Sequence, residues 1–328
     1  MGLRTPARRL ESNYNQGSPV SGSSTIILHH FEQSPFSEKV RLVFGLKNIA
    51  WTSVVIARIM PRPDLMPMTG GYRRTPVMQI GSDSYCDTHC IVRELERRFA
   101  EPTLFPDGHA GLSWSLAMWT DRAFFQNAVN FVFGTLADKV PQDFMCDREQ
   151  LRGQKFDVAA MSAAIPQMRD QFRAHVGWIE AQLGDGRLWL LGNRPSYADI
   201  SAYMNIWYVR ASVPAINSIM LEFPKTRGWE ERVRAIGHGS RTELSSSEAL
   251  KIAAKATPQT PVREDPQDPN GRKPGDWISV TPDDYGKVAV SGQIVSLSAQ
   301  HVAIRRIDER AGETVVHFPR AGFLLASA

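Results

Sequence analysis

The chain has 328 residues, of which 42% are hydrophobic and 22% charged, and carries a formal charge of +4. That length supports two domains with cores of their own and a third small module. The basic residues are interleaved with acids and no window is long and apolar enough to span a bilayer, so neither nucleic acid nor membrane is expected as a partner.

Residues 1 to 23 are rich in Ser, Gly, Asn and Arg without a hydrophobic period, which predicts a mobile tail. Met1 to Leu10 holds three arginines and no acid, as transit peptides do, but Glu11 and the polar run after it argue against one. Pro6 stands where myristoylation requires Ser or Thr. Cys86, Cys90 and Cys146 follow no secreted disulfide pattern, which predicts a reducing, cytoplasmic setting.

Residues 24–106 read as strand (Thr25 to Leu28), helix (Val40, Leu42, Val43, Leu46), strand (Trp51 to Ile56), a long loop from Pro61 to Tyr72, two short strands, and a helix through Ile91, Leu95 and Phe99. That order suits a thioredoxin-like α/β layer. Three of its turns can carry chemistry. Ser34-Pro35-Phe36-Ser37 places a hydroxyl where the donors of a new helix and its partial positive charge converge, a place that stabilises an anion. Thr75-Pro76-Val77-Met78 turns the chain sharply before a strand, and Asp87-Thr88 precedes the next helix.

Residues 107–240 read as all-helical. Leu112, Leu116, Trp119 and Ala123 keep a helical rhythm, as do Met161, Ile165, Met168, Phe172, Val176, Ile179 and Leu183, with Pro166 expected to kink or start that helix and Gly184 to end it in the left-handed region. Ser196 and Asp199 are spaced as a capping box, and a last helix runs from Pro224 through Trp229 and Val233 to Gly237. Residues 241–274 read as a short capped helix and a Pro-rich linker. Residues 275–328 read as a small β module whose core is marginal, so that it is expected to dock on the helical domain or on a partner subunit.

Two other chemistries fit poorly. Cys86, His89 and Cys90 straddle a strand end and a helix start, which spreads them over different faces, so no metal site is assigned. His29 and His30 lie near Ser34, but neighbouring strand residues face opposite ways and there is no Gly-x-Ser-x-Gly elbow.

Taken together, the turns at Ser34-Pro35-Phe36, Thr75-Pro76-Val77 and Asp87-Thr88 resemble the glutathione site of the glutathione transferase family, and the Ser196–Asp199 segment resembles the capping box of its helical domain. The resemblance covers about two thirds of the chain and stops near Ser245. It implies a thioredoxin-like domain, an all-helical domain and, in this chain, an added all-β module. It implies glutathione as co-substrate, a small hydrophobic electrophile as partner, and a homodimer.

Ser34 corresponds to the thiolate-stabilising serine of plant tau-like transferases, with Ser37 able to share the role. A cysteine at that place would favour mixed disulfides, whereas serine favours conjugation or glutathione-dependent cleavage. Ionising a thiol of pKa near 8.5 at neutral pH requires about 2.7 kcal/mol, which one hydrogen bond of about 1.5–3 kcal/mol and a helix end of about 0.3–1 kcal/mol supply.

The resemblance places Phe36, Arg74, Pro76 (as a cis residue), Val77, Asp87 and Thr88 around glutathione, with Arg73 or Arg74 near its glycyl carboxylate. Tyr72, Trp114, Trp119, Phe124 and Trp207 are candidates for the electrophile pocket between the domains. For Ser34 and Thr88 helix capping alone also accounts for the residue type, and for each aromatic so does core packing. The rival reading is a non-catalytic scaffold that keeps the fold and binds through its β module.

Overall fold

The computed structural model describes residues 25–327. The tail expected over residues 1 to 23 lies outside them. β1 (Ile26–His30) pairs in parallel with β2 (Ala50–Val55) and antiparallel with β3 (Val77–Ile80), which pairs with β4 (Asp83–Cys86). Alternation along these strands sorts their side chains onto two faces. Ile26, Leu28, Met78, Ile80 and Tyr85 join one core beneath α1 (Pro35–Leu46) and α3 (Thr88–Arg98). Ile27, Val77 and Cys86 join a second core on the other side, with residues from beside α2 (Met66–Thr69).

The first core runs on into the helical region without a break: Phe124, Phe131, Phe172, Tyr197 and Trp229 belong to it. The helices are α4 (Ala110–Trp119), α5 (Phe125–Thr135), α6 (Gln142–Arg152), α7 (Val158–Ala163), α8 (Ile165–Gln182), α9 (Tyr197–Ser212), α10 (Ile216–Met220) and α11 (Pro224–Arg234). Pro166 starts α8, and Met161 falls in the separate α7. The left-handed residue after α8 is Gly186 (φ 89°) rather than Gly184. Among the described residues, no helix is long and apolar enough to cross a membrane.

Beyond α11, β5 (Ser240–Glu243) pairs in parallel with β2, and α12 (Ser246–Lys255) begins at a capping box of Ser245 and Glu248. Then come β6 (Trp277–Pro282), β7 (Val290–Ser298), β8 (His301–Asp308), β9 (Gly312–Pro319) and β10 (Phe323–Ser327). They meet the helical region, as expected, through Arg122 paired with Asp283 at 2.7 Å and the Gly286 amide on the Leu151 carbonyl at 2.7 Å, but they are not a separate module. β9 pairs in parallel with β4, Asp83 opposite Val315 and Tyr85 opposite His317, so that one sheet runs β10-β6-β7-β8-β9-β4-β3-β1-β2-β5. The marginal core expected of the module is completed by borrowing the edge and the second face of the first sheet.

In a flat sheet β9 and β10 would lie about 19 Å apart, four strand spacings. Their Phe318 and Phe323 rings are 5.6 Å apart, so the five added strands coil back on themselves around Ile278, Val280, Ile294, Leu297, Val302 and Ile304. The seam is also polar. Asp83 accepts from the Gln259 amide at 2.8 Å and lies 3.0 Å from His317 Nε2, and His317 Nδ1 lies 3.0 Å from His301 Nε2.

Burial sets a pH dependence. It drives His29 and His30 down to about 4, the latter aided by the Arg41 charge, and His301 down to about 3. Below the unfolded value of about 6.5 the denatured chain takes up protons that the fold refuses, so stability is lost as pH falls from there toward 4. At about 1.4 kcal/mol per pH unit for each group, the loss by pH 5 is expected to reach about 2 kcal/mol per histidine at most. Thermal melts at pH 7 and pH 5 measure it, and an unchanged midpoint would contradict neutral histidines in the fold.

Candidate functional site

Ser34 is the N-cap of α1. Its backbone is extended (φ −76°, ψ 119°), Pro35 follows at the first helical position, and its Oγ accepts from the Ser37 amide at 3.2 Å. The side chain is only 3% exposed. The Ser37 hydroxyl is buried with no partner among the described residues. Phe36, one residue into the helix, lines a cleft and meets Phe125 edge-on at 4.6 Å.

The other two turns reach the same cleft. The Thr75–Pro76 bond is cis, as expected, and Val77 opens β3 directly behind it. Asp87, at φ 74°, caps α3 by accepting from the His89 amide at 2.9 Å, and Thr88 is the first helical residue. Phe36, Pro76, Asp87 and Thr88 all line the cleft, which is narrow and partly open to solvent. Ser34, Ser37 and Val77 are not on its wall.

A charged group that the sequence did not disclose lies along one side. Between α4 and α5 the helix widens into a π-turn, Thr120–Phe124, a device common at functional sites. Asp121 on that turn accepts from the buried Lys39 of α1 at 2.6 Å and lies 3.0 Å from His89 Nε2, and Lys39 also donates to the Tyr197 hydroxyl at 3.2 Å. Burial opposes both charges, but each outweighs it for the other: Lys39 stays above its usual value, and Asp121, aided by His89, below its own. The cleft is thus lined by an ionised carboxylate that is already neutralised.

The far wall comes from the C-terminal strands. Asp284 and Tyr285, in the β6–β7 connection, and Gly322 and Phe323, at the β9–β10 turn, face Phe36 and Pro76 across the opening. Arg74 is expected to meet a ligand carboxylate. Here its guanidinium binds the Asp284 carboxylate and the Tyr285 carbonyl, and lies 4.0 Å from the Tyr285 ring centre, so its charge is spent within the protein. Arg73 pairs with Asp147 at 2.7 Å.

Of the aromatics proposed for an electrophile pocket, Tyr72 lines the cleft, wedged against Phe318 and Phe323. The others do not. Trp114 packs behind His89 and against Tyr197, and Trp207 joins the helical core. Trp119 and Phe124 stack at 5.5 Å because the π-turn between them brings both inward, against His175.

His29 pairs with Gln79 at 2.8 Å, and His30 with Ser53 at 3.0 Å and Arg41 at 3.1 Å, so neither addresses Ser34. Burial raises the Cys86 and Cys90 thiols well above their usual range, and among the described residues no group of three or more His, Cys, Asp or Glu is placed to hold a metal ion.

Comparison with known proteins agrees with this fold. The family model described as glutathione S-transferase, N-terminal domain, matches residues 28–103, and the corresponding C-terminal domain model matches residues 162–232. The chain is 28% identical over 180 residues to FtsZ-localized protein A of Caulobacter vibrioides, a match spanning 53% of this chain and 73% of that one. A glutathione S-transferase from Methylobacterium radiotolerans, solved in complex with glutathione sulfonate, shares the fold at 18% identity and TM-score 0.50, over 67% of this chain and 97% of that one. A GST-like protein from Pseudomonas syringae is 37% identical with a TM-score of 0.78, over 93% of this chain and 100% of that one. A match of that span takes in most of the added C-terminal strands as well as both family domains. The chain therefore belongs to the glutathione S-transferase family.

Proposed function

We propose that the chain binds glutathione in the cleft between the starts of α1 and α3 and activates its thiol for attack on a second substrate, in conjugation or in glutathione-dependent cleavage. The observation that carries this reading is the convergence of Phe36, cis-Pro76, Asp87 and Thr88 on one cleft in a member of this family. In this reading Ser34 donates to the thiolate, aided by the partial positive charge at the start of α1. Thr88 and the amides opening α3 that Asp87 does not cap hold the γ-glutamyl carboxylate, Val77 pairs through its backbone with the cysteinyl unit, and the protein works as a cytoplasmic homodimer.

The test is an ultraviolet difference titration with glutathione across pH, comparing wild type with Ser34→Ala. A saturable thiolate band with an apparent pKa well below that of free glutathione, lost in the variant, is expected. The variant also loses its helix cap, and its melting temperature should fall by about 2–4 °C, matching about 1 kcal/mol, with folding retained.

A second reading, a non-catalytic binding protein, is favoured by one feature: Ser34 is almost wholly buried and its oxygen is engaged by the Ser37 amide. The name of the Caulobacter relative points the same way. Glutathione uptake without a thiolate band would select this reading, and light scattering of the purified chain tests the dimer.

A further inference from the structure

Beside the cleft, Arg58, Arg62, Arg73, Arg148 and Arg152 lie close together, and one carboxylate, Asp147, pairs with two of them. Arg73 and Arg148 both pair with Asp147, at 2.7 and 3.0 Å. Arg148 and Arg62 both donate to the Arg58 carbonyl, at 2.9 and 3.2 Å. Arg62 is buried and satisfied by carbonyls and a hydroxyl alone, and burial, together with the charges of Arg148 and Arg73 and against that of Asp147, brings it down to about 10. Among the described residues, the guanidinium groups of Arg58 and Arg152 have no carboxylate partner. They rest on aromatic faces, Arg58 at 5.1 Å from the Phe144 ring centre and Arg152 at 5.4 Å from that of Phe156.

Aromatic stacking accounts for where the arginine stems lie, and one cation at the C-terminal end of α6 would suit the helix dipole. Neither accounts for so many cations sharing one acid, partly shielded from water. Like charges held together without counter-charge are an anion site in waiting, and arginine's planar fork matches a carboxylate or a phosphate.

None of these arginines is on the cleft wall, but the cluster is linked to it by two routes. The end of α6 abuts the wall residue Tyr285 through a hydrogen bond from the Gly286 amide to the Leu151 carbonyl at 2.7 Å. Gly286 lies at φ 59°, a backbone conformation that favours glycine. On the other side Phe36 leads through Phe125 to Tyr208, whose ring centre is 6.5 Å from that of Phe125 and whose hydroxyl feels Arg58, Arg148 and Arg152.

We propose that the second substrate is an anion: its apolar part lies against Phe36, Tyr208 and Tyr285, and its carboxylate or phosphate is held by Arg58, Arg148 and Arg152. This rests on the glutathione reading for which part of the cleft is left to the second substrate. It adds an anionic group to the small hydrophobic electrophile expected from sequence, and it assigns α6 a role in choosing substrates.

Equilibrium dialysis of the full chain against 1-naphthaleneacetate and its uncharged carboxamide tests this, for wild type, Arg152→Gln and Arg58→Gln. Wild type should bind the carboxylate about tenfold more tightly than the amide, the worth of one charge-assisted pair. Arg152→Gln should remove most of that preference and Arg58→Gln part of it, with amide binding unchanged; inorganic phosphate should compete with the carboxylate if a phosphate is accepted as well.

Among the described residues the Arg58 side chain makes no hydrogen bond, so its variant remains informative should the other fold poorly. Equal affinities for the two naphthalenes, or a preference that survives both substitutions, would overturn the proposal. So would binding of a polyphosphate or an oligonucleotide that the naphthaleneacetate does not displace. Glutathione uptake is measured in parallel by calorimetry. A chain that holds glutathione but ignores the carboxylate refutes this inference alone, and one that prefers the carboxylate but never takes glutathione refutes its assignment to a second substrate.

Discussion

A chain ending at Ala256 is expected to fail to fold cooperatively. Such a truncation keeps every residue matched by the two family domain models, and by family analogy should be harmless. Here it strips β9 from β4 and opens the second core, where Tyr72, Val77 and Cys86 are at most 1% exposed and pack with Ile304, Val316 and Phe318. Uncovering three or four such side chains, at about 1.5–3 kcal/mol each, matches most of the 5–15 kcal/mol that holds a typical domain together. The bared β4 edge would also invite intermolecular pairing. Soluble yield, near-ultraviolet circular dichroism and a thermal melt are the measurements. A truncated chain with a native-like near-ultraviolet spectrum and a single melt near that of the full chain would show the first domain to be self-sufficient.

The second large effect is expected at Asp199. Its carboxylate, wholly buried, accepts from the Ser196 amide at 2.9 Å and hydroxyl at 2.6 Å, from the Leu190 amide at 2.7 Å and from Trp229 Nε1 at 2.8 Å. One side chain thereby caps α9, fixes the loop before it and anchors α11. Asp199→Ala leaves four buried donors without an acceptor, at about 1–3 kcal/mol each before relaxation. We expect a net loss of about 3–5 kcal/mol and a fall in melting temperature of about 10 °C or more. Burial lifts the Asp199 carboxyl above its usual value despite those donors, so Asp199→Asn, which keeps one acceptor oxygen without the charge, should lose less. Equal losses in the two variants would mean that the charge, rather than the hydrogen bonds, matters.

Much of the family architecture could be read from local pattern. The apolar run of Thr25 to Leu28, the Pro-opened helix at Ser34 and the capping box at Ser196 are each written within a few residues. Failures came where partners are remote or where the code is not hydrophobic. All four residues of β5, Ser240–Glu243, are exposed and polar, and only the backbone ladder to β2 makes them a strand. Asp121 gave no signal, because Lys39 and His89 meet it only once α1, α3 and the π-turn are assembled. Trp119 and Phe124 share one side only because the π-turn between them breaks the regular helical period. The β strands near the end were legible singly; that β9 would claim the edge of β4 was not, because nothing local encodes a pairing across most of the chain.

That pairing also governs when the protein can come into being. β4 leaves the ribosome about 230 residues before its neighbour β9, which at about 5–20 residues per second means some 10–50 s of synthesis. Throughout that interval the N-terminal sheet has one edge and one apolar face uncovered. Chaperone demand and sensitivity to translation speed should therefore concentrate in the nascent chain, before the last strand emerges, rather than in the finished protein.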